Sequence, residues 1–200
     1  MKRIFKYLCC LIFLVACFVG KAQDKSTASN KKYKFTLYAG FGPNFYFNNL
    51  TIGKEYVREL NYQFVTRFMW EPEHFLSLGF ETGYNRLYSM KENPTANSQV
   101  KINNALIPIQ LVISMKFFKD FYGNFSMGQS VLLNNVNTNN NGTNNKINAT
   151  GFSLGDFGIA AGYRKSFHTK YYLGAELKGY YSSKLNDKNI GLAIMGGYRF

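Results

Sequence analysis

Cysteine is almost absent from this chain of 200 residues, and the three that occur, Cys9, Cys10 and Cys17, all lie near the amino terminus. The rest of the chain can therefore form no disulfide framework, thiol nucleophile or thiolate metal site. Histidine is nearly as rare, since only His74 and His168 are present. Neither has a partner at the i, i+4 spacing of a metal motif, and no carboxylate cluster supplies a metal site. We expect no cofactor, no metal and no enzymatic activity.

Long apolar runs are also missing, apart from one at the amino terminus. Three basic residues within the first six positions precede an apolar stretch over residues 7–20, and Gly20-Lys21-Ala22 follows it. This order is typical of a secretory signal peptide. The stretch is shorter than the ~20 apolar residues of a spanning helix. We predict a cleaved signal over residues 1–22.

A second cleavage site competes with the first. Leu14-Val15-Ala16-Cys17 resembles the box at which bacterial lipoproteins are cut and acylated on the cysteine. The apolar stretch continues through Val19, which favours the later site. Lipidation of Cys17 stays open as the alternative.

Acidic residues are few, with 11 against 24 bases. The signal removes four bases, so the remaining 20 give the mature chain a net charge of +9. A basic surface can indicate nucleic acid, but an exported protein rarely meets any. We expect no nucleic-acid partner and favour anionic lipid. About 178 residues predict a single domain.

Period-two alternation dominates what the mature chain does contain. Leu76, Leu78 and Phe80 alternate with Ser77, Gly79 and Glu81, and the same pattern recurs in segments 35–41, 157–163, 173–181 and 190–200. One face is large and apolar, and the other carries glycine, alanine, serine and charge. Strands with one side in lipid and the other in a lumen require this pattern.

The alternation predicts an all-β fold, an eight-stranded antiparallel transmembrane β-barrel. Its strands lie near 33–47, 55–70, 75–88, 100–117, 121–134, 151–166, 171–183 and 189–200. Short connections alternate with longer ones, as periplasmic turns and outer loops do in outer-membrane barrels. The Asn-rich run 134–148 is interpreted as a mobile loop tip. We predict a periplasmic tail over 23–32, a barrel domain over 33–200 and the outer membrane of a Gram-negative cell as the location.

Several short segments resemble one family of such barrels. They are Tyr38-Ala39-Gly40-Phe41-Gly42, Leu78-Gly79-Phe80-Glu81-Thr82-Gly83-Tyr84, Ile107-Pro108-Ile109, Asp156-Phe157-Gly158 and Gly196-Gly197-Tyr198-Arg199-Phe200. The chain is similar to the small outer-membrane β-barrel family that includes PorT-like proteins. The resemblance spans the mature chain and implies an accessory role beside subunits of a secretion or envelope-assembly machine. The ending, with Phe200 two residues after Tyr198, also resembles the signal read by the barrel-assembly machinery.

Charged residues recur on the faces predicted to point inward. They are Arg67, Glu81, Asp156, Arg164, Glu176, Lys178 and Arg199. The interior of an eight-stranded barrel is just wide enough for side chains to fill. Buried charges must be paired, so we predict an ion-pair network that plugs the lumen, in which Glu176 pairs with Arg164 or Arg199. A proton or ion path is the alternative.

The predicted outer connections are basic. Residues 48–58, 86–101, 134–150 and 183–189 hold eight bases and three acids. Anionic lipid surfaces attract such charges. We predict a lipopolysaccharide-binding rim formed by Arg58, Arg86, Lys91 and Lys101, with Tyr84, Tyr88 and Tyr181 beneath it. An ordinary solvated loop surface is the alternative. The function predicted is a non-catalytic barrel with a structural or surface-interaction role; the PorT-like accessory role is the second hypothesis.

Overall fold

The structure, a computed structural model, describes residues 34–47, 54–72, 75–95, 98–140, 143–167, 170–184 and 186–200. The predicted signal peptide (1–22), Cys17 and the predicted tail (23–32) lie outside the described residues. Residues Tyr33–Phe200 form one compact unit.

Nine β-strands and one short 3-10 helix, Lys54–Tyr56, make up the described chain. The strands are β1 Lys34–Phe47, β2 Val57–Arg58, β3 Leu60–Glu71, β4 Leu76–Thr95, β5 Ser98–Phe118, β6 Phe121–Asn140, β7 Thr143–Phe167, β8 Tyr171–Ser182 and β9 Asp187–Arg199. No helix among these described residues is long and apolar enough to cross a membrane.

Eight of the strands close into a ring, and every pairing in it is antiparallel. The order is β4-β3-β1-β9-β8-β7-β6-β5, and pairing of β5 with β4 completes the circle. The two-residue β2 lies beside β4 outside the ring. The predicted eight-stranded antiparallel barrel is confirmed.

The residues that alternate in the sequence lie alternately on the outer surface and in the interior of the barrel. On β1, Phe35, Leu37 and Phe41 are exposed, whereas Thr36 and Tyr38 are buried. The outer surface carries more than thirty exposed large apolar side chains, far beyond the apolar patches that soluble proteins tolerate. A closed ladder with an apolar exterior is the form in which strands cross a bilayer, because every backbone group is satisfied within the ring.

The two ends of the barrel differ. β1 begins and β9 ends at one end, where the connections 72–75, 119–120 and 168–170 are short. At the opposite end β4 to β7 continue well beyond their neighbours and stand as a four-stranded sheet, called here the overhang: residues 88–95, 98–105, 133–140 and 143–151. Short turns identify the first end as periplasmic, so the overhang is at the outer end.

The interpretation of 134–148 as a loop tip is wrong. Residues 134–140 belong to β6 and 143–148 to β7, and the register between them runs from Asn134↔Ala149 to Asn140↔Thr143. Asparagine is a poor strand residue, but the backbone ladder does not depend on side chains, and Asn135 donates to Asn148 across the pair at 2.6 Å. Residues 89–95 and 98–99, also predicted as loop, are strand as well.

Two bulges shape the junction between barrel and overhang. In β4 the register shifts between Arg86 and Tyr88, so Leu87 and Tyr88 both face the interior. In β7 it shifts at Gly155, whose φ of 82° suits glycine. A β-bulge adds one residue to one strand of a pair and bends that strand. Both bulges lie where the long strands leave the ring.

Candidate functional site

Four charged side chains meet in the barrel interior: Arg67, Glu81, Glu176 and Lys178, called here the central quartet. Arg67 lies directly opposite Glu81 in the β3–β4 register and pairs with it. Its Nη1 and Nη2 atoms also reach the two oxygens of Glu176 at 2.8 and 2.9 Å. Lys178 pairs with Glu81. Each side chain is at most 4% exposed.

The quartet reaches across the barrel. Lys178 on β8 and Glu81 on β4 come from strands four places apart in a ring of eight, which is the full diameter. Arg67 on β3 and Glu176 on β8 are three places apart. The two bases and two acids balance, and buried ions are tolerable when they are paired in this way.

Neutral groups satisfy the rest of Glu176. The Tyr122 hydroxyl and the Asn124 amide each donate to its Oε2 at 2.9 Å. A carboxylate accepts several such bonds, and the fork of Arg67 supplies the bidentate contact that gives arginine pairs their directional strength. Glu176 is thus held by two strands besides its own, β3 and β6.

A second charged group lies nearer the periplasmic end, around Glu71. Arg164 and Arg199 lie 3.2 and 3.5 Å from its carboxylate oxygens. The Tyr38 hydroxyl donates to Glu71 Oε1 at 2.7 Å and Thr36 donates to Oε2 at 3.2 Å. Glu71 is buried and is the last residue of β3, whereas the sequence predicts a connection after residue 70.

Aromatic rings enclose Arg164. Its guanidinium carbon lies 4.8, 5.0 and 5.8 Å from the ring centres of Tyr122, Tyr38 and Tyr172. Its Nη1 donates to the Tyr38 hydroxyl at 2.6 Å. Cation–π attraction is larger when the cation is desolvated, so this arginine is fixed by rings as well as by Glu71.

Asp156 stands apart from both groups. It is buried near the outer end, and its partners in the described chain are hydroxyl and amide donors. Tyr180 donates to its Oδ2 at 3.0 Å, the Ser183 amide donates to its Oδ1 at 2.9 Å, and Ser130 and Ser153 donate as well. It belongs to a hydroxyl cluster rather than to the ion pairs.

The inward-facing residues predicted from the sequence thus separate into three places. Arg67, Glu81, Glu176 and Lys178 form the quartet, Arg164 and Arg199 meet Glu71, and Asp156 is with serines. The suggested pairing of Glu176 with Arg164 or Arg199 is wrong, because Arg67 takes that place. Glu71 was missed, although it shares the odd-numbered face of Arg67 and Met69.

The predicted basic rim residues lie on outward faces at the outer end. Arg86 stacks over the Tyr62 ring at 5.9 Å and donates to Asn103 Oδ1 at 2.6 Å. Arg58 on β2 is exposed and pairs in register with Ser89 of β4. Tyr88, expected beneath this rim, instead packs inward against Tyr46, with the ring centres 5.1 Å apart, because of the bulge at Leu87.

Lysines face each other across the overhang. Lys91 and Lys101 are directly opposite on β4 and β5, and the same row continues through Asn137 to Lys146 on β7. The three lysines are exposed and share the outward face. Like charges directly opposite destabilise a strand pair, so a bound anion would relieve a cost already present in this row.

The last residues close the barrel seam. Arg199 pairs with Thr36 in register, and the Phe200 amide donates to the Phe35 carbonyl at 2.9 Å. The Phe200 ring is exposed and packs edge-on against Tyr198, with ring centres 5.1 Å apart. Both rings lie at the periplasmic edge of the apolar exterior.

No metal centre is found among the described residues, since no three of their acidic, histidine or cysteine side chains lie close enough to share an ion. His74 and His168 both lie outside the described residues.

The closed antiparallel ring, apolar outside and polar inside, defines the class: a transmembrane β-barrel of the bacterial outer membrane. Solved structures of this fold resemble it. Ail, the attachment invasion locus protein of Yersinia pestis, has a TM-score of 0.52 at 9% identity, covering 84% of this chain and 99% of that one.

Two further structures extend the comparison. Ail in complex with the heparin analogue sucrose octasulfate gives a TM-score of 0.50, with 9% identity and the same coverage. Neisserial surface protein A has 12% identity and a TM-score of 0.43 over 83% of this chain and 97% of that one. No family model and no curated protein match the sequence. The likeness therefore concerns the fold, and the PorT-like family stays a prediction.

Proposed function

We propose that this protein is a non-catalytic surface barrel with a plugged lumen, whose overhang makes its contacts at the cell surface. The observation that carries the proposal is the central quartet, which joins strands on opposite sides of the ring through fully buried side chains. Moving an ion past it would require separating charges that are desolvated and already paired, which is costly. The polar interior therefore stabilises the barrel wall and does not serve as a path for ions.

Purified protein in a planar lipid bilayer should show no steady conductance above that of the lipid. Replacing Arg67, Glu81, Glu176 and Lys178 together by alanine should produce a measurable conductance, because it removes the side chains that cross the diameter. Resistance of the folded band to heating in detergent shows whether the variant is folded. Regular conductance steps from the unmodified protein would contradict a plugged lumen.

The outer surface supports contact with polyanions. Arg58, Lys91 and Lys101 are exposed and Arg86 is half-buried at the outer end of the barrel, and an anionic lipid surface attracts basic side chains of this kind. Ail, which has a similar fold, has been crystallised with a sulfated sugar. We therefore extend the proposal to a basic rim that binds lipopolysaccharide.

Changing Arg58, Arg86, Lys91 and Lys101 to glutamate should weaken binding of purified lipopolysaccharide by more than about tenfold. Each base near an anionic surface contributes about 1 kcal/mol, and about 1.4 kcal/mol corresponds to one factor of ten. Added salt should likewise weaken the binding of lipopolysaccharide to the unmodified protein. Fluorescence titration against the refolded barrel measures both.

The matched control reverses four lysines at the periplasmic end, Lys34, Lys119, Lys165 and Lys170, which alters the total charge equally. Binding should survive in that variant. Equal losses in both variants would mean that net charge, and not the rim, determines binding.

The resemblance to PorT-like proteins supports a second candidate, an accessory barrel in a secretion or envelope-assembly machine. Such a role depends on protein partners, so deletion of the gene would alter the secreted or envelope proteins as a set. A surface-contact role would leave that set unchanged and alter only binding at the cell surface.

A further inference from the structure

One edge of the overhang has no neighbouring strand in the described chain. β7 pairs with β6 from Thr143 to Tyr163, but its pairing with β8 begins only at Phe157. β8 ends at Ser182, and beyond it Ser183 bonds to Leu154, Lys184 bonds to Ser153 and the Lys184 ammonium lies near Gly151. Residues 143–150 therefore form a strand that is paired on one side.

The register fixes which backbone groups point away from β6. The backbone amide of Arg164 donates to the carbonyl of Asp120. On the periplasmic side of Gly155, the backbone amides and carbonyls of the even-numbered residues of β7 therefore point toward β6. The extra residue at Gly155 reverses this order. Leu154 confirms the reversal, because the carbonyl of this even-numbered residue accepts a hydrogen bond from Ser183 on the side of β8. Above the bulge the amides and carbonyls that point to the open edge thus belong to Asn144, Lys146, Asn148 and Thr150.

This edge carries little of the protection that proteins give to open strands. Bulges, prolines and several charged residues usually blunt such edges. Residues 143–150 contain no proline, no register shift and one charged residue, Lys146, and all eight are exposed. The opposite edge of the overhang is different, since β2 covers part of β4.

We propose that the β7 edge binds an extended segment of another polypeptide by strand addition, and that this segment alternates acidic and apolar side chains. In strand addition, main-chain hydrogen bonds supply affinity and alternate side chains supply specificity. The outward face of the edge presents Lys146. The inward face presents Ile147, which is 64% exposed, next to Val136. An added strand would place its acidic side chains against Lys146 and its apolar ones against Ile147.

Amide hydrogen exchange tests the proposal on the whole barrel in lipid nanodiscs. The probe is an eight-residue peptide of alternating valine and glutamate, with blocked ends. Without peptide, rapid exchange is expected for the four amides that point to the open edge, those of Asn144, Lys146, Asn148 and Thr150. At saturating peptide, these amides should exchange at least about tenfold more slowly. The amides of residues 145, 147 and 149 should be slow in both states, because β6 already holds them. A peptide with lysine in place of glutamate should protect the four edge amides from exchange much less.

Proline at an open edge removes a donor without breaking the inner ladder, which provides a matched pair of variants. Asn148→Pro should abolish protection by the peptide, whereas Asn148→Ala, which keeps the amide, should retain it. Both should keep the heat resistance of the folded band, and Lys146→Glu should weaken the peptide effect.

Three results would overturn the proposal: amides at the edge that are protected without peptide, protection that persists in Asn148→Pro, or a doubled particle mass showing that a second copy occupies the edge. A failure of lipopolysaccharide binding would leave this inference intact, since none of the four rim residues lies on β7 and strand addition depends on the open backbone groups of that strand.

Discussion

Replacing Glu176 by alanine should lower the free energy of unfolding of the barrel by on the order of 3–5 kcal/mol. The central quartet is neutral, so removing one carboxylate leaves a net positive charge enclosed in the wall. Arg67 loses two short contacts, and the donors on Tyr122 and Asn124 lose their acceptor. Buried donors without acceptors add to the cost.

Urea unfolding in detergent micelles, followed by the mobility difference between folded and unfolded bands, measures this loss. Glu55→Ala is the matched control, because Glu55 is an exposed acid outside the ring, and surface changes of this kind stay within about 0.5 kcal/mol. Combining Glu176→Leu with Arg67→Met should recover part of the stability, since apolar replacement of a whole pair is often neutral. A Glu176→Ala loss equal to that of Glu55→Ala would mean that water reaches the quartet.

Deleting Phe200 should remove most of the protein from the outer membrane. The resemblance of its ending to the assembly signal predicts that β9 is the strand presented to the barrel-assembly machinery, and an unpaired edge of this kind must be closed before the barrel is stable. The Phe200 amide also completes the seam through its bond to Phe35. Cell fractionation with immunodetection measures the amount in each membrane.

Two substitutions distinguish the role of the Phe200 aromatic ring from that of the Phe200 backbone amide. Phe200→Ala keeps the amide that bonds to Phe35, and it should behave like the deletion if the ring carries the signal. Phe200→Tyr keeps an aromatic ring and should assemble normally. Full outer-membrane levels in the Phe200 deletion would show that assembly does not depend on this residue.

Period-two alternation was sufficient to predict the number of ring strands and which face of each strand meets lipid, because both are local properties of the chain. The Arg67–Glu81 pair is also nearly local, since only the short turn at 72–75 separates its two strands. The Arg67–Glu176 pair is not, because the two residues are 109 positions apart and their meeting depends on register across several strands. Local pattern carries no information about that register.

The errors in the outer half have a different origin. Polarity in 134–148 suggested a loop, but a strand that stands in water on both faces has no reason to alternate between apolar and polar side chains. Backbone pairing extends β6 and β7 there, with the side-chain bond between Asn135 and Asn148 beside it. Glu71 was assigned to the connection over residues 71–74, although it shares the alternating face of Arg67 and Met69.

The overhang also constrains how this protein can change over generations. Because its two hairpins are held by main-chain bonds, their length is nearly independent of which amino acids they contain. Side chains change face at every step, however, so a register slip of one residue exchanges the two surfaces. Insertions that lengthen each arm by two residues would preserve the lysine row, whereas a shift by one would turn Lys91, Lys101 and Lys146 inward. We therefore expect this sheet to change its height in steps of two residues, except where a bulge like that at Gly155 absorbs a single one.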